Sequence, residues 1–335
     1  MSTHAIVYLV FGIVLTIALS FDLGLLSKKN KTITIKQALT QTFFWVGLAL
    51  AFFVFLWVEG SLLAEESNGN VSNSSQLPLE FLSAYLMEWS LSIDNIFVFI
   101  LIFNSFKVKE QHYSRVLLIG ILMAIIFRII FITLGVALVA KFAWVLYIFG
   151  LFLVYTGYTM FTADGEEQFD PHESKVYKFL KKYLPLANHD GNGKYIVREN
   201  GKPIYTILFV VVVLLAAIDL VFALDSIPAV MGISKDPMII YTSNIFAVLG
   251  LRSLFFLLRG AVTKFDYLQQ GIAIVLVFIG VKMLGEHFIN EWFDKSTQVF
   301  LSLGIIVVCI AGSIFYSIIM NKKGTPADVQ DDSVN

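Results

Sequence analysis

The chain has 335 residues, of which 57% are hydrophobic and only 15% are charged, with a formal net charge of −1 and a mean hydropathy of +0.78. A soluble domain is typically about 25% charged, so this composition indicates a membrane protein whose main partner is the lipid bilayer, and no nucleic-acid partner is expected. The single cysteine, Cys309, excludes an intrachain disulfide and a multi-thiol metal site.

Apolar runs, taken in chain order, predict nine transmembrane helices. Lipid offers no partners for free backbone groups, and runs of about 20 residues are too long for membrane strands. We therefore expect an all-α polytopic membrane protein. The first run lacks a basic leader, which favours a retained helix over a signal peptide. The runs cover roughly residues 5–25, 38–60, 80–103, 115–138, 142–163, 205–231, 238–260, 268–288 and 297–320.

Three pairs of similar segments predict an internal repeat. EWSLSIDNI at 88–96 parallels DLVFALDSI at 219–227, GILMAIIFRIIF at 120–131 parallels NIFAVLGLRSLF at 244–255, and LVYTGYTM at 153–160 parallels LVFIGVKM at 276–283. A unit of three helices has its ends on opposite sides of the membrane, so the second copy is inverted. Transporters commonly bind their substrate near the midplane where such inverted repeats meet.

The repeat divides the chain into five parts. Residues 1–60 hold two N-terminal helices, 80–163 the first repeat (transmembrane helices 3–5), 164–204 a cytoplasmic loop, 205–290 the inverted second repeat (helices 6–8), and 291–335 the ninth helix and a cytoplasmic tail.

The basic residues predict an outside N-terminus and a cytoplasmic C-terminus. With this orientation, eighteen of the 24 lysines and arginines fall in cytoplasmic segments, as the positive-inside rule requires. Three lie in outer segments and three lie within spans: Lys141, Lys235 and Lys295 outside, and Arg128, Arg252 and Lys282 inside the spans.

Two predicted spans carry pairs of carboxylates deep in apolar sequence, Glu88 with Asp94 and Asp219 with Asp225. Six residues of helix give about 9 Å of rise and leave the two side chains about 120° apart, so one unbroken helix does not place both on one ion. If each pair straddles the midplane, inversion predicts two acidic layers, Glu88 with Asp225 and Asp94 with Asp219. The alternative is a local helix break near Ser90, Ser92 or Pro228 that merges the layers.

Four buried carboxylates need compensation, since an ionised group at the bilayer centre costs at least about 2.5–3.5 kcal/mol. One interpretation is a structural ion-pair network with Arg128 and Arg252. Four acids against two arginines leave a charge of −2, which a divalent cation would balance. The histidines lie at span ends or in loops, so the ligands are oxygens. Oxygen ligands suit Mn²⁺, Ca²⁺ and Mg²⁺ better than Cu⁺ or Zn²⁺, and composition does not choose among the three.

Other polar positions carry weaker signals. Asp22 and Glu59 stand near helix ends and are predicted to be interfacial, and Lys282 is either a counter-ion or a snorkelling side chain. Residues 188–199 match several positions of an EF-hand loop. The Asn200-Gly201 pair that follows predicts a hairpin turn in place of the second helix, which disfavours a Ca²⁺ loop.

Several segments resemble the TerC family, including its Alx-like members: FDLGLL, YLMEWSLSIDNIFVF, VRENG, FALDSIPA, DPMIIYTSNIFAVLGLRSLFFLL and LVFIGVKML. The resemblance implies a bacterial inner-membrane protein linked to Mn²⁺ efflux, to metal supply for exported proteins and to tellurite resistance. The family's acidic positions fall on Glu88, Asp94, Asp219 and Asp225, with Asn95, Ser226 and Asn244 as neighbours. Ala216 and Trp89 depart from the family pattern, where relatives commonly carry a glutamate and a lysine.

These observations predict a secondary transporter that exports a divalent cation, with Mn²⁺ the first candidate and Ca²⁺ another, by alternating access and without a permanently bound cofactor. Protonation of a buried acid would release the ion, which is compatible with proton antiport. The alternative is a membrane scaffold that supplies metal to exported proteins, or acts in tellurite or metal stress resistance, together with the protein-secretion machinery. An intramembrane hydrolase is disfavoured, because an aspartate dyad needs carboxyls about 3 Å apart, and no enzyme activity is expected.

Overall fold

The computed structural model describes residues 9, 11–17, 33–66, 76–162, 170–199, 201–259 and 267–323. Within these ranges it describes only the backbone of residues 59–66, 94, 97, 295, 296 and 321–323. Asp22 lies outside the described residues, and so do the side chains of Glu59 and Asp94.

The described chain is almost entirely helical, with one short hairpin. The helices are α1 (11–17), α2 (Ile35–Glu66), α3 (Leu77–Ser105), α4 (Glu110–Lys141), α5 (Val145–Thr162), α6 (Lys175–Tyr183), α7 (Ile207–Ile233), α8 (Pro237–Leu258), α9 (Leu268–Leu284), α10 (Glu286–Trp292) and α11 (Lys295–Lys323). A 3₁₀ turn at Gly191–Gly193 precedes the strands β1 (Ile196–Glu199) and β2 (Lys202–Tyr205).

Seven of the described helices are long and apolar enough to cross a membrane: α2, α3, α4, α5, α7, α8 and α11. Helices α9 and α10, bent by 82° at the break between them, bring the number to eight if the pair is counted as one span. The predicted all-α polytopic membrane fold is confirmed. The first predicted span, 5–25, lies largely outside the described residues, so the count of nine stays a prediction.

Local sequence explains where the central helices begin and end. Helix α8 starts at Pro237, and the Asp236 side chain caps it by accepting a hydrogen bond from the Met238 N–H (2.8 Å). Helix α3 ends at Ser105, and Lys107, two residues later, has a left-handed φ of 47°. The N–H groups of Lys107 and Val108 donate to carbonyls of the last turn of α3, which closes the helix as a C-terminal cap does.

The helices differ in how much of their surface they bury. In the apolar stretch of α8, 94% of the residues are buried, against 22% in α2 and 11% in α11. Helix α8 is therefore central, whereas α2 and α11 leave most of their apolar surface for lipid. In the centre, α3 packs on α8 and α4 packs on α7.

Helices α5 and α9 make the closest backbone contact. A Cβ atom at Gly280 would lie 2.6 Å from the Gly150 carbonyl oxygen, and one at Gly157 would lie 2.7 Å from the Ala273 carbonyl oxygen. Small residues at a helix interface let the two backbones approach, as in other membrane bundles.

The hairpin predicted around Gly201 is confirmed. Strands β1 and β2 pair antiparallel, with Ile196 opposite Tyr205 and Glu199 opposite Lys202. Gly201 has a φ of +77°, which glycine adopts without steric cost. The hairpin and α6 form a small polar unit between α5 and α7.

Candidate functional site

Charged and polar side chains from four helices meet in the centre of the bundle. Arg128 of α4 donates from Nε and Nη2 to the two carboxylate oxygens of Asp219 (2.9 and 3.1 Å) on α7. Its Nη1 donates to Glu88 Oε2 of α3 (2.8 Å) and to Asn244 Oδ1 of α8 (3.1 Å). Each of these four residues is at most 1% exposed. We call Glu88, Arg128, Asp219 and Asn244 the central cluster.

The pattern of residues along α4 directs Arg128 inward. Ile121 and Ile125, which lie seven and three residues before it, are buried, whereas Ile126 and Ile130 are 57% and 48% exposed. The buried residues recur at the spacing of one helix face. Arg128 therefore stands on the face that packs against α7 and α8.

The central cluster carries one excess negative charge when both acids are ionised. A guanidinium that binds a carboxylate through two parallel hydrogen bonds forms one of the stronger ion pairs in proteins. Glu88 Oε1 is also buried, yet no described group donates a hydrogen bond to it. The Asn244 amide nitrogen donates to the Ile240 carbonyl (3.0 Å), which leaves its oxygen for Arg128. Among the cluster's carboxylate and amide oxygens, Glu88 Oε1 is therefore the one to which no described group donates.

The predicted pairing of the acidic layers is wrong. Glu88 and Asp219 bind one guanidinium and so lie at one depth, whereas the prediction placed Glu88 with Asp225. The prediction assumed that the midplane lies between the two acids of each helix. The first acid of each pair lies at the contact of α3 with α7 instead. No break merges the layers, since α3 and α7 are continuous helices through Ser92 and Pro228.

Asp225 stands apart from the central cluster. It is six residues beyond Asp219, about 9 Å farther along α7, and it is partly buried against α5. Thr156 Oγ1 of α5 donates to Asp225 Oδ1 (3.2 Å). The Asp94 backbone lies in α3, but its side chain is not described.

The remaining predicted ligands are buried neighbours. Asn95 is 2% and Ser226 1% exposed, and the Ser226 hydroxyl has no hydrogen-bond partner among the described groups. The structure thus brings together three of the seven predicted site residues, Glu88, Asp219 and Asn244. Over the described ranges, no three histidine, cysteine or carboxylate side chains are grouped closely enough to hold a metal by themselves.

A second charged site, which the sequence did not predict, lies at the N-terminal end of α3. Glu80 is 5% exposed and accepts a hydrogen bond from the Ser234 hydroxyl (2.5 Å). It lines a cavity of about 110 Å³ together with Lys282 and an ion pair between Lys235 and Glu286. An acidic residue in the first turn of a helix is common because it interacts favourably with the helix dipole, so the sequence did not mark Glu80 as a site residue.

Lys282 of α9 forms a hydrogen bond with helix α11. Its Nζ donates to Ser302 Oγ of α11 (3.0 Å) and it lines the same cavity as Glu80. This position favours the counter-ion interpretation of Lys282 over snorkelling into the headgroup region.

The EF-hand-like segment uses its acids for protein contacts. Asp190 forms an ion pair with Lys109 (2.6 Å) and accepts a hydrogen bond from the Asn192 N–H. The hydrogen bond from Lys109 holds the pKa of the Asp190 carboxyl below its usual value. Glu199 pairs with His189 (2.9 Å) and lies in β1. The geometry is that of a structural loop joined to the start of α4.

Long apolar helices around a buried ion-paired cluster define a multi-pass α-helical integral membrane protein. The chain belongs to the TerC family: the family model described as integral membrane protein TerC family matches residues 73–325. The family expected from the sequence motifs is therefore confirmed.

Several relatives match over nearly their whole length. The uncharacterized membrane protein STKORF319 of Myxococcus xanthus is 39% identical over 311 residues, covering 92% of this chain and 91% of that protein. Proteins named putative membrane-bound redox modulator Alx are 37% identical in Escherichia coli O6:H1 (88% of this chain, 89% of the relative) and 38% identical in Salmonella typhi (88% of each). No solved structure matches the chain.

Proposed function

We propose that this protein is a secondary transporter that exports a divalent metal cation, with Mn²⁺ as the first candidate substrate. The observation that carries the proposal is the central cluster, in which two fully buried carboxylates share one guanidinium. Ionisable groups inside a membrane bundle mark ion pathways or proton relays by default. The expectation of Mn²⁺ over Ca²⁺ or Mg²⁺ comes from the resemblance to the TerC family.

Arg128 serves as an internal counter-ion in this proposal. A cation that binds Glu88 and Asp219 competes with the guanidinium for the same oxygens, because each carboxylate already accepts a hydrogen bond from Arg128 (2.8 and 2.9 Å). The Asn244 carbonyl oxygen completes a set of hard oxygen ligands of the kind that Mn²⁺, Mg²⁺ and Ca²⁺ accept. Asp225, about 9 Å farther along α7, provides a second binding position for the ion.

Two inverted three-helix repeats, α3–α5 and α7–α9, provide alternating access. The glycine contacts between α5 and α9 support this symmetry. In the sequence match Gly150 corresponds to Ala273 and Gly157 to Gly280, so a two-fold rotation exchanges the Gly150–Gly280 contact with the Gly157–Ala273 contact. Glu88 and Asp219 also correspond in the sequence match, as expected for residues that lie close to the two-fold axis on opposite sides of it. Rocking of one repeat against the other would open the cluster to each side in turn.

The protein lies in the bacterial inner membrane with its N-terminus outside and its C-terminus in the cytoplasm. The support is the excess of lysine and arginine in the segments then assigned to the cytoplasm. In this orientation the cavity lined by Glu80 and Lys282 faces outward and provides an exit from the bundle.

The site geometry gives no support to a hydrolase. A catalytic carboxyl dyad shares one proton at about 3 Å, whereas Glu88 and Asp219 share a guanidinium. Several relatives carry the name redox modulator, but Cys309 is the only cysteine of this chain. A redox role through an intrachain dithiol is therefore not available, and we propose neither an enzyme activity nor a permanent cofactor.

Ion uptake into proteoliposomes tests the proposal. Purified full-length protein would be assayed with Mn²⁺, Ca²⁺ and Mg²⁺ beside Glu88→Gln and Asp219→Asn, which remove charge with little change of shape. We expect Mn²⁺ flux in the wild type and about a tenfold or larger loss in each variant, since a ligand charge is removed.

Glu110→Gln is the matched control, because Glu110 is 58% exposed and forms a surface ion pair with Arg259. Its flux should equal that of the wild type. Wild-type flux in the two cluster variants would remove the central cluster from the mechanism. Absence of flux of any of the three ions in the folded wild type would favour the scaffold alternative, which supplies metal to exported proteins together with the secretion machinery.

A further inference from the structure

Helix α6 combines a buried apolar side with an exposed basic side. Its sequence, KVYKFLKKY, buries Leu180 and exposes all four lysines: Lys175, Lys178, Lys181 and Lys182. The Ser174 hydroxyl caps the helix by accepting a hydrogen bond from the Tyr177 N–H (3.2 Å). Capping and the lysines of the last turn stabilise this short helix at both ends.

The contacts of α6 place it at the ends of transmembrane helices. Tyr177 packs against Phe106 (ring centroids 5.4 Å apart), which directly follows the end of α3. Helix α6 also contacts α7, whose first residue is Ile207. These contacts hold α6 at one end of the helical bundle.

Two aromatic side chains project from α6 away from the protein. Phe179 is 60% and Tyr183 62% exposed, and their rings contact each other at 4.7 Å between centroids. They are four residues apart and so share one side of the helix. Lys182 Nζ lies 5.4 Å from the Tyr183 ring centre. Phe179 and Tyr183 therefore form an exposed aromatic pair beside the lysines.

We propose that α6 is a lipid-contact helix that binds anionic phospholipids of the membrane in which the protein lies. Phe179 and Tyr183 enter the interfacial region of the leaflet, and the four lysines bind the phosphate groups around them. Aromatic residues beside lysines are the composition of helices that lie in membrane interfaces, and juxtamembrane lysines are attracted to anionic lipid.

Charge and position favour lipid over a protein partner. Helix α6 carries four lysines and no acidic residue, so its own charge favours an anionic partner. Over the whole loop, residues 164–204, seven basic and seven acidic residues balance, so the positive charge is local to α6. Helix α6 contacts the segment that follows α3 and helix α7, so in the proposed membrane orientation it lies near one membrane surface, where lipid headgroups are available. The inference is independent of ion transport and uses the proposed orientation only to assign the leaflet to the cytoplasmic side.

Hydrogen exchange of the full-length protein in lipid nanodiscs tests the inference. Peptides covering residues 175–183 would be compared between discs of phosphatidylcholine alone and discs that also contain phosphatidylglycerol. We expect exchange to slow by roughly threefold or more in the anionic discs, because contact with lipid protects the helix from local opening. Added salt should reduce the difference by screening the lysines.

Two variants separate lysine binding from aromatic insertion. Lys178→Gln/Lys182→Gln should lose the response to anionic lipid, and Phe179→Ser/Tyr183→Ser should lose most of the protection in both kinds of disc. The matched control is Lys194→Gln/Lys202→Gln, which removes the same charge from exposed positions outside α6 and should keep the response.

Equal exchange in the two kinds of disc would overturn the proposal and favour a protein partner for the aromatic pair. An equal loss of the response in the control variant would also overturn it, because the effect would then follow net charge and not α6. Neither readout depends on ion flux, so failure here leaves the proposed transport function untouched.

Discussion

Glu88 and Asp219 bind the same guanidinium group from two different helices. Arg128 Nη1 lies 2.8 Å from Glu88 Oε2, and Arg128 Nε lies 2.9 Å from Asp219 Oδ2. Helices α3 and α4 are thus joined to α7 by the groups that we propose to bind the substrate. An ion that enters the cluster must compete with these ion pairs, so ion binding directly affects how α3 and α4 pack against α7.

Arg128→Met should destabilise the protein strongly. It leaves two buried carboxylates without their cation, and breaking a buried ion pair from one side costs about 3–5 kcal/mol of unfolding free energy. Thermal unfolding in detergent would measure the loss. Arg259→Met is the control, since its pair with Glu110 is partly exposed and should contribute about 1 kcal/mol or less. Equal losses in both variants would show that burial of the Arg128 cluster has no special energetic role.

Gly280→Ala should disturb the contact of α5 with α9. The added Cβ would meet the Gly150 carbonyl oxygen at 2.6 Å, so the helices must separate, at a cost of about 1–3 kcal/mol. Gly304→Ala on α11 meets nothing within 4 Å and should be neutral, or stabilising by up to about 1 kcal/mol. A Gly280→Ala protein as stable as the wild type would contradict the close helix contact.

Thr156→Val should weaken substrate binding at Asp225 without abolishing it. The variant removes the hydroxyl that donates to Asp225 Oδ1 (3.2 Å), a contact worth about 1 kcal/mol, or about fivefold in affinity. Asp225→Asn should cause the larger loss, because it removes the charge itself. Titration of flux against Mn²⁺ concentration would measure both. Thr159→Val serves as control, since within the described part of the chain its hydroxyl donates to backbone carbonyls alone, and a defect as large in this variant would refute the assignment.

The loop around Asp190 should lose stability in acid. The pKa of Asp190 is lowered in the folded protein, so its contribution is present above the unfolded value of about 3.9. That contribution is lost as pH falls through the lower folded value. Hydrogen exchange of residues 188–194 across a pH series would report the loss.

Asp190→Asn should remove this acid dependence, whereas Glu173→Gln, at an exposed pair with Lys178, should keep it. An unchanged acid transition in Asp190→Asn would assign the effect to another group.

Much of the architecture follows from local chemistry. The spans were predictable because lipid requires long apolar helices, and the hairpin was predictable because Gly201 allows a left-handed turn. Glu88, Asp219 and Arg128 stood out because charge is costly in such sequence. Glu80 did not, since the same residue type is ordinary in a first helical turn.

Hydrophobic patterning is enough to predict the membrane spans and the charged residues within them, because hydrophobicity and the cost of burial act on each segment separately. The sharing of Arg128 by Glu88 and Asp219, and the contact of Asp225 with Thr156, depend on the folded arrangement of the helices. Helical spacing sets the direction and relative height of side chains on one helix. The point where two helices cross depends on packing, such as the contact of Gly150 with Gly280, and that point decides which charges become neighbours.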